Sequence, residues 1–176
     1  RSQFIVGKYL GLALTLLINL AVMAIAFYLV LAYLDATALG RSKEAWDAPA
    51  LDPQMLKAFL LIGVELLVMT AVAMFLSTFS SPFLSVALSV AVYIIGHFGD
   101  ELKRIGEVAA SPLLGSIARG VYFVMPNLAR LDVKSAVVHA VPVSASYVSL
   151  AALSGVLYVG VLLVASTLVF SRRDLK

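Results

Sequence analysis

Long charge-free runs dominate the chain. From Leu66 to Gly99 no charged residue occurs over 34 positions. A helix rises about 1.5 Å per residue and a bilayer core is about 30 Å thick, so about 20 residues cross it. The run is too long for one crossing. Near its middle lies Ser77-Thr78-Phe79-Ser80-Ser81-Pro82. Proline disfavours helical geometry in the residue before it and suits the first turn of a new helix. Two membrane helices joined by a tight turn are therefore predicted, over Ala58–Phe79 and Pro82–Phe98. Tyr9–Leu34 and Ser144–Phe170, with 26 and 27 uncharged residues, predict one span each.

The stretches between are polar or broken. Asp35–Lys57 is a polar loop with Trp46 as an interface anchor. At its end, Asp52-Pro53 reads as an N-cap followed by a first-turn proline. Val108–Leu128 is mostly apolar but is interrupted by Ser111-Pro112, Gly115, Arg119, Gly120 and Pro126. No 20-residue span can be cut from it, so re-entrant or interfacial helices are expected there. Ala136–Val143 is another short apolar piece. The pattern predicts an all-α, polytopic membrane protein. A single transmembrane domain fills residues 1–176, with four spans and re-entrant or interfacial helices before the last one.

Composition agrees. Hydrophobic residues make up 62% of the chain and charged ones 13%, with a mean hydropathy of +1.02. A soluble domain is about half apolar and a quarter charged. A membrane β-barrel would show short alternating segments. Cysteine is absent, which excludes disulfides and thiolate metal sites. The apolar runs leave no basic face outside the membrane for nucleic acid.

Polar residues within the spans are the candidate functional groups. Asn19 is expected either to bond a neighbouring helix or to contact substrate. Glu65 is an intramembrane carboxylate, which is costly and points to function by default. It is read either as an interfacial or packing group, or as part of a transport path or proton relay. Ser81, Ser85, Ser89, Tyr93 and His97 recur at steps of four and wind about halfway round a helix. The serine half of this stripe would line a cavity or a tight helix seam. Gly7 and Gly11 form a small-xxx-small pair suited to close helix approach. A catalytic reading would draw on Glu65, His97, Asp100, Glu101 and His139. However, there are only two histidines and no His-Glu-x-x-His pair.

The two tails hold Arg1, Lys8, Arg172, Arg173 and Lys176 against Asp174. With four spans they lie on one side, and the positive-inside rule places both in the cytoplasm. The chain opens on Arg1 rather than Met, which reads as the interior of a longer protein.

Arg1-Ser2-Gln3-Phe4-Ile5-Val6-Gly7-Lys8-Tyr9-Leu10-Gly11 resembles the segment leading into the third membrane helix of ABC-2 type transporter permeases. The ending, Phe170-Ser171-Arg172-Arg173-Asp174-Leu175-Lys176, resembles that family's terminal aromatic and basic cluster. Pro126-Asn127-Leu128-Ala129-Arg130-Leu131-Asp132 is similar to the segment before the last helix in a bacterial branch associated with multicopper-enzyme maturation. The resemblance covers essentially the whole chain and matches helices three to six of a six-helix permease, so two helices are expected upstream. It implies the permease of an ATP-driven exporter in the bacterial inner membrane, working by alternating access with a second permease copy. ATP and Mg would be bound and hydrolysed by a separate ATPase subunit. No catalytic, cofactor-binding or metal-binding residue of this chain is implied, and no Gly-rich phosphate loop is present. Arg1, Phe4 and Lys8 would take part in ATPase coupling. The alternatives are a secondary transporter, a membrane assembly factor or an intramembrane enzyme.

Overall fold

A computed structural model describes residues 2–37, 49, 51–99, 101, 104 and 112–172. Helices α1 (Ser2–Thr37), α2 (Gln54–Ser77) and α3 (Pro82–His97) come first. Then follow α4 (Pro112–Val124), a 3-10 turn (Leu128–Leu131), α5 (Lys134–Val138) and α6 (Ala145–Arg172). No strand occurs among the described residues. Among the described residues, three helices are long and apolar enough to cross a membrane: α1, α2 and α6. The expected third span is a helix of 16 residues, about 24 Å long and short of crossing alone.

The local signals explain the ends of these helices. Helix α2 starts one residue later than expected, with Pro53 at the N-cap, and Asp52 Oδ1 accepts from the Gln54 amide at 2.8 Å. Ser81 caps α3 by accepting from the Leu84 amide at 3.4 Å, with Pro82 in the first turn. In the turn between them, Ser80 Oγ donates to the Leu76 carbonyl and shares a bond with Ser85 Oγ, both at 2.7 Å. Helix α1 runs past the apolar stretch at both ends, because neither Ser2–Lys8 nor Asp35-Ala36-Thr37 contains a proline.

Helix α2 is the central element and packs against α1, α3, α5, α6 and the 3-10 turn. Its Leu61, Val68 and Ala71 are almost fully enclosed. Lipid is as apolar as these side chains, so close packing carries the association. Accordingly, Gly155 of α6 lies directly against Val64 of α2.

Both described ends of the chain lie at one end of the bundle. The Phe4 and Phe170 rings stack there at 6.4 Å, and Lys8 shares a groove with Ser77. At the opposite end, Tyr28 donates to the Asp52 carbonyl at 3.3 Å. There too Lys57 Nζ donates to the Val143 carbonyl at 2.7 Å, and the Val143 amide donates to Gln54 Oε1 at 3.1 Å.

The region before the last helix is indeed a series of short pieces. Tyr158 lies near the middle of α6 and donates to the Val124 carbonyl at 3.1 Å, so α4 ends beside that midpoint. Tyr147, one turn into α6, donates to the Arg130 carbonyl at 2.9 Å. The segment between Val124 and Val143 thus climbs from mid-bundle to the far end. Irregular backbone at membrane depth must be buried in protein or face water. Leu128, Leu131, Val133 and Val137 bury it here. Helix α5 ends in paired bonds from Ala140 to Val137 and from Val141 to Ala136. Ala140 adopts a positive φ of 55°, in the arrangement that commonly stops helices.

Candidate functional site

The site begins with a carboxylate at the wrong depth for comfort. Glu65 is 11 residues from the start of α2 and 12 from its end, about 17 Å from either. It is 7% exposed. Its position on α2 turns it toward the level where α3 stops and the irregular segment passes. One oxygen, Oε1, lies 3.5 Å from His97 Nε2, and the other, Oε2, lies 3.9 Å from Lys134 Nζ. Lys134 Nζ also lies 3.7 Å from Asp132 Oδ1. That same carboxylate accepts from the Lys134 amide at 3.2 Å and so holds the start of α5.

His97 is the last residue of α3. Its Nδ1 is 3.0 Å from the Tyr93 carbonyl oxygen. Its ring lies 4.5 Å from the Tyr93 ring, tilted by 49°. The two members of the stripe nearest the helix end therefore form one unit with Glu65. Gly96 and Gly99 make room for the irregular segment. A Cβ on Gly96 would lie 2.8 Å from both the Leu128 Cγ and the Pro126 carbonyl oxygen. A Cβ on Gly99 would lie 3.2 Å from the Asn127 side chain. Asn127 Oδ1 accepts from the Arg130 amide at 3.3 Å. Its Nδ2 is buried without a hydrogen-bond partner among the described residues.

The serine half of the stripe goes elsewhere. Ser85 and Ser89 line an open groove with Ser77 and Ser80. Ser77 and Ser89 continue into a second groove bounded by Lys8, Thr15 and Thr70. Ser77, Ser89, Thr15 and Thr70 donate their protons to carbonyls of their own helices. The protons of these hydroxyls are thus already used, and what remains on them is acceptor capacity. Ser81 is spent on its cap.

Other expectations fall differently. Asn19 donates to the Thr15 carbonyl of its own helix at 2.9 Å and is exposed, so its amide is not used between helices. Nothing lies within 4 Å of where a Cβ on Gly7 or Gly11 would stand, so that pair packs no helix here. Phe4 is exposed apart from its stacking on Phe170, and Lys8 is exposed beside the groove. Arg1, Trp46 and Asp100 lie outside the described residues. Glu101 and His139 are exposed and take no part in the cluster. Among the described residues no three His, Asp or Glu side chains gather to hold a metal ion.

Lys134 and Asp132 were not singled out by the sequence pattern. The available signal was the carboxylate itself: a buried intramembrane Glu needs a counter-charge. Nothing in the sequence pattern picks Lys134 for that role over Lys57, Arg119 or Arg130. Compared with protein families, curated proteins and solved structures, the chain matches none.

Proposed function

We propose that this chain is the membrane-embedded part of an ABC-2 type permease, working as an ATP-driven exporter in the bacterial cytoplasmic membrane. ATP and Mg belong to a separate ATPase subunit, and a second permease copy completes the path. The observation that carries this reading is the stacking of Phe4 on Phe170, which brings both described ends to one end of the bundle. An even number of crossings is then needed. Helices α1, α2 and α6 supply three. Helix α3 together with residues 124–143 is read as a composite fourth. Four crossings with a broken stretch before the last helix is the order that the sequence resemblance implies. The groove with hydroxyl oxygens between α1, α2 and α3 is the candidate lining of the path.

The direct test is purification of the full-length protein from its native membrane, with ATPase activity assayed on the eluate. A co-purifying nucleotide-binding subunit with vanadate-sensitive hydrolysis is expected. A clean preparation without one removes the exporter reading.

The topology makes its own prediction. A Ser2→Cys variant is expected to react with a membrane-impermeant maleimide only from the cytoplasmic face. Labelling from outside refutes the orientation.

A second reading, an ion-coupled secondary carrier, is favoured by the charged cluster at mid-bundle, since carriers place coupling sites near the midplane on broken helices. Transport driven by an ion gradient without ATP would select it.

A further inference from the structure

The contact between Glu65 and His97 limits where protons sit without conflict. His97 Nδ1 sits 3.0 Å from the Tyr93 carbonyl oxygen. A carbonyl oxygen only accepts, so this contact is a hydrogen bond in the tautomer that carries its hydrogen on Nδ1. A neutral imidazole protonated at Nδ1 has a bare lone pair on Nε2. That Nε2 faces Glu65 Oε1 at 3.5 Å. A lone pair set against an ionised carboxylate oxygen is unfavourable, and more so where water is scarce. One proton between the two atoms removes the conflict. On Nε2 it makes an imidazolium beside a carboxylate. On Oε1 it makes a carboxylic acid that donates to the imidazole. Both arrangements contain the same atoms and the same net charge.

We propose that Glu65 and His97 form a proton-binding site midway through the helix bundle, with Lys134 as its counter-charge. When the proton leaves, the carboxylate keeps the Lys134 ammonium at 3.9 Å, so the site is not left as a lone buried anion. Access comes through the partners: the His97 and Lys134 side chains are 23% and 46% exposed, against 9% for Glu65.

The other groups facing Glu65 fit this assignment. From α3 the titratable neighbour is His97, flanked by Tyr93. From α5 it is Lys134, steadied by Asp132 of the turn before it. From the 3-10 turn, Arg130 is directed away, toward the Tyr122 hydroxyl. Helices α1 and α6 bring Tyr9 and Tyr158 to their packed faces, with hydroxyls donated to the Leu67 and Val124 carbonyls. On α2 itself, Lys57 is held by Val143 two turns away. The site goes beyond the transport readings and stands with either energy source.

The test uses the two-histidine composition of the chain. A His139→Gln variant leaves His97 as the sole histidine. The full chain is labelled with 15N-histidine, placed in lipid nanodiscs at pH 7 and studied by NMR. The expected spectrum has a directly protonated Nδ1 and an Nε2 that carries or shares a proton. Adding Glu65→Gln is expected to abolish the Nε2 proton signal while the Nδ1 proton stays. In the protein that retains Glu65, an Nε2 that neither carries a proton nor accepts one from Oε1 overturns the proposal, and so does a bare Nδ1. Both are read without the second substitution, so a poorly folding Glu65→Gln variant does not spoil the test. An Nε2 signal indifferent to Glu65→Gln also overturns it.

Discussion

A Gly96→Val variant is expected to unfold at a markedly lower temperature than the wild type. The first added carbon alone would stand 2.8 Å from the Pro126 carbonyl oxygen and 2.8 Å from Leu128 Cγ. Overpacking typically costs about 1–3 kcal/mol. Valine adds three carbons where the first already lacks room, so about 3 kcal/mol is expected. Removing a helical glycine returns less than about 1 kcal/mol, which cannot offset the clash. For a chain of this size the loss corresponds to a fall of roughly 6–12 °C in the unfolding midpoint. Leu128→Ala should not restore it, because the Pro126 carbonyl belongs to the backbone and cannot be trimmed. Equal midpoints for variant and wild type would show that the irregular segment does not rest on α3.

Gly155→Val is expected to be about as damaging, but curable. Here the first added carbon meets the Val64 Cγ1 methyl inside contact distance, and the next neighbour, Val68 Cγ2, is at an ordinary 3.5 Å. The obstacle is one side chain. Val64→Ala in the Gly155→Val background should therefore recover part of the loss. A coupling of about 1–2 kcal/mol in the double-mutant cycle is expected. Thermal unfolding in detergent of the two single variants, the double variant and the wild type measures it. Strict additivity would mean that α2 and α6 do not meet at this pair.

The contrast between these two glycines marks how far the sequence could be read. The long helices were legible because a charge-free run of sufficient length has one stable form in lipid. Pro82 and Asp52 announced where helices start by local chemistry that needs no partner. In residues 112–128, Pro112 and Pro126 bracket a helix as expected, but Gly115, Arg119 and Gly120 do not interrupt it: Pro112–Val124 is one helix, because a glycine weakens a helix without removing a backbone donor. What could not be read was which distant groups meet. Glu65 and Lys134 are joined by tertiary geometry across 69 positions, and no local period encodes that. Gly96 looks like any small residue in a membrane helix until Pro126 and Leu128 are laid on it. Of the two readings of Asn19, the bond to a neighbouring helix gives way to one to the carbonyl four residues back, because its own helix supplies an acceptor. The serine stripe divided because one end of α3 borders a groove and the other borders Glu65.

The 36 unbroken residues of α1 have a mechanical consequence. Such a helix is about 54 Å long, well beyond a 30 Å bilayer core even at an average tilt. Sharp kinks arise at proline, at glycine–serine pairs or at bulges. This helix has no proline, and its two glycines lie in the first third. Beyond Gly11 it behaves as a stiff rod. A push on the end that carries Phe4 and Lys8 is therefore not absorbed along the way; it arrives at Tyr28, where the rod is bonded to Asp52 at the head of α2.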